Sequence, residues 1–412
     1  MDAATKAELA KPAELTFWTW VEGLQPNVDL FQKKYPNIKV KIQNQGQGQP
    51  HYAKLRSAMK SGQGAPDVAQ IEFQYVPTFS LTNDLLDITK YTAATKALYP
   101  EPVWNQVVRD GKVYAVPQDI GPMAMLYRED IFKKNNIEIP KTWAEFAEAG
   151  KKLHAADPKT FITSFAPNDG GWINGMLWQA GAKPFTVKSA DSIDIHLADD
   201  PAAKKFIDVW SPMIKDGTVA VDPDFADDWY RGLNEGKYAT WITAGWGPYF
   251  LQGQAKSTSG KWRAAPIPQY AAGENASANW GGSTTAVMAK SKFPVAAAEF
   301  AKFLNSDPES AKLMVTNQHF FPATSALLSS ADFTDAKDPF FGDTPVNKTF
   351  AEAAAQVNPD FTFSPFQDTV YSTQNDTIGA AVTKRQDLGP AFDAWQKAVT
   401  DFAKKQGFKV GG

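Results

Sequence analysis

The groups in this sequence that could do chemistry are aromatic rings, amides and carboxylates set beside glycines. The chain holds 13 Trp, 27 Phe and 12 Tyr. Three stretches gather such groups early: Trp18-Thr19-Trp20-Val21-Glu22, Asn44-Gln45-Gly46-Gln47-Gly48-Gln49 and Glu72-Phe73-Gln74-Tyr75. None of these three contains Lys or Arg. Four more follow: Asn168-Asp169-Gly170-Gly171-Trp172, Ala244-Gly245-Trp246-Gly247-Pro248, Asn279-Trp280-Gly281-Gly282-Ser283 and Phe320-Phe321-Pro322-Ala323. Uncharged rings with nearby hydrogen-bonding groups suit a neutral polyhydroxylated ligand. Ring faces cover the C–H faces of a sugar, and amides and carboxylates meet its hydroxyls. Glycine beside Trp lets backbone and ring both approach such a ligand. Any single Trp could equally be filling a core.

Other chemistries find little support. Lys plus Arg is 42 and Asp plus Glu is 45, a net charge of -3, which gives no electrostatic footprint for nucleic acid or an anionic membrane. There is no Cys, hence no disulfide, thiolate metal site or cysteine nucleophile. His51, His154, His196 and His319 are the only histidines, and no two have metal-ligand spacing. Gly46-Gln47-Gly48-Gln49-Pro50-His51 starts like a dinucleotide loop and lacks its third Gly. Gly281-Gly282-Ser283-Thr284-Thr285 lacks the closing Gly of a nucleophile elbow. Asp222-Pro223-Asp224-Phe225-Ala226-Asp227 has the acids of a calcium loop. Asp227 stands where the turn Gly belongs, and Leu233 where the bidentate Glu belongs. Nothing singles out a glycosidase pair among 45 acids. A glycosidase therefore stays open at this point, while the residues themselves point to no catalytic group, no cofactor and no metal.

The elements that must position these groups are legible in the first part of the chain. Leu15 to Trp20 reads as a strand. Asn27 is placed to cap a helix carrying Val28, Phe31 and Tyr35, which Pro36-Asn37 ends. Ile38 to Gln43 alternates with period two, a second strand. A helix through Tyr52, Leu55 and Met59 stops at Ser61-Gly62, and Val68 to Phe73 reads as a third strand. Strand and helix in alternation imply a parallel sheet, and ligands of open α/β sheets sit beyond the carboxyl ends of the strands. The three early stretches are those carboxyl ends. Further on, Thr142 to Glu145 forms a capping box, Ser306 to Glu309 reads as a second, and Asp110 to Pro117 reads as a turn leading into a strand. The 412 residues leave room for two or three domains, and no flexible linker is visible between them. The first 12 residues are polar and Ala-rich, without the apolar centre of a secretion signal.

Several motifs in fixed order carry a family resemblance. Phe31-Gln32-Lys33-Lys34-Tyr35-Pro36-Asn37-Ile38-Lys39-Val40 comes first, then Ser61-Gly62-Gln63-Gly64-Ala65-Pro66-Asp67-Val68. Asp110-Gly111-Lys112-Val113-Tyr114-Ala115-Val116-Pro117 follows, then Leu126-Tyr127-Arg128-Glu129-Asp130-Ile131-Phe132 and Pro140-Lys141-Thr142-Trp143. Asn234-Glu235-Gly236-Lys237-Tyr238-Ala239-Thr240 leads to Gly245-Trp246. From Leu15 to about Tyr371 the chain resembles extracellular solute-binding proteins (family 1) of carbohydrate ABC transporters, the maltose-binding-protein-like group. The resemblance implies an α/β, two-lobed periplasmic-binding-protein fold (type II-like), with a ligand cleft between lobes joined by crossing hinge segments near Gly121, Asn279 and Pro322. The expected lobes are 1–121 plus 280–322, and 122–279 plus 323–412. It also implies a removed leader, a cell-surface lipoprotein or periplasmic location, and a monomer working with a membrane permease.

Carried over by position, the resemblance gives Trp20, Glu22, Gln47, Glu72, Phe73, Gln74 and Asp119 as first-lobe contacts. Asp169, Gly171, Trp172, Trp246 and Tyr371 are the second-lobe contacts, with Trp172, Trp246, Trp280 and Tyr371 offering stacking surface. Trp280, Gly281, Gly282 and Phe321 lie at the crossings. Glu72, Phe73 and Gln74 depart from the maltose-binding pattern, so the expectation is an oligosaccharide or other neutral sugar and not maltose in particular. Ligand would favour the closed form, and a tenfold preference needs only about 1.4 kcal/mol of differential contact. The alternatives are a carbohydrate-active enzyme (glycosidase or lyase), or the same fold holding a polyamine or another small solute.

Overall fold

The computed structural model describes residues 2–189 and 191–411. Its contacts divide the chain into two compact units. The first comprises the residues up to Ile120 together with Gly281–Leu328; the second comprises Gly121–Trp280 and the residues from Ser329 on. The chain passes between them inside two strands, Ala115–Arg128 and Asn279–Val287, and once more after Leu328.

In the first unit, strand β1 (Ala13–Trp18), helix α1 (Gln25–Lys34), strand β2 (Ile38–Gln43), helix α2 (Gln49–Ser61) and strand β3 (Val68–Glu72) follow one another as the hydrophobic spacing predicts. β1 pairs in parallel with β2 from Ala13↔Ile38 to Trp18↔Gln43, and with β3 at Phe17↔Val68. On the other side of β3, residues 283–287 run antiparallel, from Ser283↔Glu72 to Val287↔Val68. Leu15, Phe17, Val28, Phe31, Leu55, Ile71 and Phe300 are fully buried between sheet and helices. Phe300 meets Phe17 and Phe31 edge-on at 5.4 and 5.1 Å. Each such ring contributes roughly 1.5–3 kcal/mol of transfer free energy, which fixes the sheet whose carboxyl ends matter below.

Two local expectations shift. Asn27 does not cap α1. Pro26 falls in the helix's first turn, so the helix starts earlier, at Gln25, and buried Asn27 donates to Ser310 O and Oγ at 2.8 and 2.9 Å. The second capping box also moves by one residue. Ser306 closes the preceding helix by donating to Lys302 O at 2.6 Å. Asp307 caps the helix Pro308–Asn317 by accepting from Glu309 N and Ser310 N. The box at Thr142 and Glu145 is present in full at the start of Trp143–Ala156.

In the second unit, residues 123–127 pair antiparallel with Thr240–Ala244, from Met123↔Ala244 to Tyr127↔Thr240. Trp262–Ala265 lies along the opposite edge. A separate sheet joins Lys409–Gly411, Ser192–Ile195 and Phe185–Ser189. Trp143, Trp178, Trp210 and Trp395 fill the interior. Among the described residues no helix is long and apolar enough to cross a membrane.

Candidate functional site

Solvent reaches very few of the indoles. Of the 13 tryptophans all but Trp20 and Trp246 are buried, and these two stand one in each unit. Any stacking surface the tryptophans offer therefore starts from these two rings.

In the first unit Trp20 leaves the carboxyl end of β1 and packs edge-on against His51 at 5.0 Å and Tyr52 at 6.4 Å. His51 is fully buried, its Nε2 3.0 Å from Gln70 O, while its Nδ1 meets no partner. Burial holds its pKa below the free value of 6.5, so the ring is neutral packing at pH 7. The Tyr52 hydroxyl accepts from Glu72 N–H at 2.9 Å and donates to Glu72 Oε2 at 3.0 Å. One hydroxyl thus fixes both ends of Glu72 at the tip of β3. A second network runs across the sheet. Thr19 Oγ1 donates to Gln70 Oε1 at 2.6 Å, Gln70 Nε2 donates to Ser283 Oγ at 3.1 Å, and Ser283 N–H donates to Asp119 Oδ1 at 2.9 Å. Burial pushes Asp119 up to about 7, the Ser283 bond opposes this, and the Glu72 charge adds to it.

The glycines beside Trp280 serve close approach. Gly281 and Gly282 have φ of +73° and +101°, backbone that other residues rarely adopt. A Cβ on Gly282 would lie 2.9 Å from Asp119 O and 3.0 Å from the Phe73 ring. Phe73 is therefore a buried wall behind this glycine.

The remaining first-unit residues vary in placement. Gln74 is buried in the turn after β3, and Phe321 is buried with its carbonyl accepting from Ile120 N at 3.2 Å. Glu22 and Gln47 are exposed on the loops after β1 and β2. Trp20, Glu72, Phe73, Asp119 and Gly282 are thus tied into one side of the sheet by named contacts, while Glu22 and Gln47 stand in solvent.

In the second unit Trp246 Nε1 donates to Trp280 O at 2.9 Å, and the two rings meet at 4.6 Å. Trp241 lies edge-on to Trp246 at 6.1 Å. Gly247 follows because a Cβ there would sit 2.4 Å from Thr243 Oγ1. Asp169 caps the helix Gly170–Gln179, its Oδ1 accepting from Trp172 N at 2.6 Å. The Trp280 indole adjoins Asp169 and favours its ionised form. Gly171 lets that indole close in, since a Cβ there would lie 3.0 Å from Trp280 Nε1. Tyr371 packs on Gly170, where a Cβ would come within 2.6 Å of its Cδ1. Asp169, Gly171, Trp246, Trp280 and Tyr371 thus converge. Trp172 joins them through its backbone N–H and lines the recess described below. Its ring lies in the core, donating to Ile242 O at 3.1 Å and packing edge-on against Phe165 and Trp210. The stacking face expected of Trp172 is not available.

Two residues of this cluster were not singled out from the sequence. Asp224 is buried, its backbone N–H donates to Asn168 Oδ1 at 3.1 Å, and its carboxyl group adjoins that of Asp169. Burial and the adjoining Asp169 charge raise its pKa, and burial raises that of Asp169 as well. Two carboxylates in contact do not ionise together at low cost, so the pair keeps a proton well above the usual carboxylate range. Phe225 has a φ of +57° and lies about 6.0 Å from both Trp246 and Trp280. The loop that resembles a calcium site thus supplies a ring and one half of an acid pair. Its Asp222 accepts from Lys237 Nζ at 2.6 Å and from the Tyr238 hydroxyl at 2.5 Å. A recess lined by Thr163, Ser164, Asp224, Trp241 and Trp280 opens here, and no Lys or Arg lines it.

Residues 18–311 match the sequence model of the family described as bacterial extracellular solute-binding protein. The chain is 25% identical over 370 residues to the arabinooligosaccharide-binding protein of Bacillus subtilis, covering 86% of this chain and 84% of that one. It is 24% identical to the lactose-binding protein of Rhizobium radiobacter, covering 95% and 93%. Among solved structures, the ABC transporter associated binding protein of B. animalis subsp. lactis, in complex with β-1,6-galactobiose, superposes with a TM-score of 0.83 at 33% identity, covering 98% of this chain and 100% of that one. The galacto-N-biose/lacto-N-biose I-binding protein of Bifidobacterium longum, in complex with lacto-N-biose, gives 0.84 at 26%, covering 97% and 99%.

Proposed function

The chain belongs to the bacterial extracellular solute-binding protein family, and from that premise we propose that it captures a neutral oligosaccharide outside the cytoplasm and delivers it to the membrane permease of an ABC importer. The observation that carries this reading is Trp246, the one partly exposed indole of the second unit. It is locked by its bond to Trp280 O, and the recess beside Trp280 is lined by no cation. A locked ring loses little freedom on binding, so its contact with a sugar face is retained as affinity. The relatives named above, an arabinooligosaccharide-binding protein, a lactose-binding protein and a binding protein in complex with β-1,6-galactobiose, support a sugar as the ligand.

In this reading the two compact units are the lobes. Trp20, Glu72, Asp119 and Gly282 are the contacts of one; Asp169, Gly171, Trp246, Trp280 and Tyr371 are those of the other. Ligand held by both sets favours a closed form that the permease recognises. The protein acts as a monomer at the cell surface or in the periplasm, with a lipid anchor where the host has a single membrane. It performs no catalysis. The family and the relatives named above are binding proteins, which supports this.

Calorimetry with β-1,6-galactobiose, lacto-N-biose, lactose and arabino-oligosaccharides tests the reading. At least one should bind the wild-type chain, and Trp246→Ala should weaken that binding by about tenfold or more, about 1.4 kcal/mol, with the fold intact by circular dichroism. Equal affinity in the variant would remove Trp246 from the site. Shorter products after incubation would make the protein an enzyme.

A further inference from the structure

His51 is a buried titratable group of the first unit that the capture of a sugar leaves without a task. Solvent does not reach its ring, and three aromatic side chains meet it edge-on: Trp20 at 5.0 Å, Tyr52 at 5.2 Å and Trp18 at 6.4 Å. The Gln70 carbonyl can only accept, so the hydrogen sits on Nε2 and Nδ1 is a bare lone pair without a partner. A buried polar atom left in that state calls for a reason. A second proton would go to Nδ1, and the surroundings resist it from every side. From β1 the ring faces the uncharged indoles of Trp18 and Trp20, and from β3 the Gln70 carbonyl. From α2 it faces Lys54, whose charge repels a proton, and Tyr52, whose hydroxyl is engaged with Glu72. His51 is also the third residue of α2, inside the first turn, where the helix dipole disfavours a cation. Trp18 and Tyr52 are buried, whereas Trp20 reaches solvent. A charge forced onto the imidazole is relieved by opening it to water, and Trp20 is the neighbour that can move aside.

We propose that His51 is a positioning residue for Trp20: the uncharged imidazole is the surface on which the indole rests, and a proton taken up at Nδ1 displaces the indole. The inference rests on the oligosaccharide reading, in which Trp20 is a first-unit contact, and adds to it a dependence on acid. Sugar meets Trp20 in place only over a neutral ring, so binding and protonation compete. Burial first, and the Lys54 charge after it, hold the pKa of His51 below 6.5 against the opposing effect of the Gln70 bond. Above the folded-state value this ring leaves affinity level. Below it, affinity falls by up to about tenfold per pH unit.

The test has two arms. The first is an NMR titration of the imidazole signals in the wild-type chain, Trp20→Ala and His51→Gln. The chain has four histidines, and the signal missing from His51→Gln identifies the ring. Its midpoint should lie below 6.5 in the wild-type chain and rise toward 6.5 in Trp20→Ala, where water gains access. The second arm is calorimetry of the wild-type chain and His51→Gln against β-1,6-galactobiose, or whichever of the sugars above binds, from pH 7.5 down to the onset of acid unfolding. Gln can still donate to Gln70 O and cannot titrate. The ratio of wild-type to variant affinity should be constant above the NMR midpoint and fall by up to about tenfold per pH unit below it. A midpoint that Trp20→Ala leaves unmoved overturns the proposal. So does a ring that takes up no proton before the chain unfolds, and so do parallel affinity profiles. If His51→Gln does not fold, the signal that Trp20→Ala moves identifies the ring, and the absence of any such shift overturns the coupling. If no sugar binds at any pH, the oligosaccharide reading falls, while the Trp20→Ala shift still decides whether His51 and Trp20 act together.

Discussion

Asp224→Asn isolates the electrostatics of the buried acid pair. Burial is the first cause that raises the Asp224 pKa and the Asp169 carboxylate is the second. Both raise it above the free value of 3.8. Between that value and the raised native one, the folded chain holds a proton that the unfolded chain has released. Stability therefore falls as pH climbs through this window. The amide of Asn keeps the shape, cannot ionise, and can donate to the Asp169 carboxylate. Each pKa unit corresponds to about 1.4 kcal/mol, and Asp224 is nearly fully buried, so solvent screens little of it. The variant should exceed the wild-type chain in stability by at least about 1.4 kcal/mol near pH 8, and by clearly less near pH 5. Urea unfolding followed by tryptophan fluorescence gives both values, and the slope against urea should be unchanged. Parallel pH profiles for the two proteins would refute the shared proton. So would a less stable variant at the higher pH.

Other perturbations reach the same surfaces. Gly282→Ala forces a Cβ against Asp119 O and the Phe73 ring at a φ of +101°, and should cost about 2–4 kcal/mol in thermal or urea unfolding; a loss no larger than that of an ordinary surface change would mean the backbone relaxes there. Tyr52→Phe strips the hydroxyl that holds both Glu72 N and Glu72 Oε2; it should lower stability by about 1–3 kcal/mol and weaken sugar binding, and unchanged binding in calorimetry would take Glu72 out of the contact set.

The alternating β1–α1–β2–α2–β3 segment was legible because its signals are local. Ile38 to Gln43 alternates every second residue and Gly62 stops α2 with φ of +71°. The two local errors share a cause. Asn27 and Ser306 have the side chains of helix caps, and both are claimed by other partners: Asn27 by Ser310, 283 residues away, and Ser306 by the last turn of its own helix. Side-chain type announces what a residue can bond, and tertiary packing decides which bond forms.

The candidate site residues divide along the same line. Trp246, Trp280, Asp169 and Gly171 were visible because glycine beside an aromatic residue is a local pattern with a steric reason, and the close approaches at Gly171 and Gly247 supply that reason. Trp172 carried the same pattern for a different cause: its flanking glycines make room for Trp280 and Tyr371, while its own ring serves the core. Asp224 and Phe225 were read only as part of a loop that fails as a calcium site, because their place here depends on residues far along the chain; the Asp224 contact at Asn168 spans 56 positions. A trace was present even so. A large apolar residue between Asp224 and Asp227 is out of place in a solvated acidic turn, and equally out of place in a cation loop. Such a ring stays exposed at a positive φ only where other rings hold it, and here they are Trp229, Trp246, Phe250 and Trp280. An apolar residue that contradicts its polar surroundings is thus the sequence signal to pursue, since the contradiction has to be resolved by contacts that local spacing does not encode.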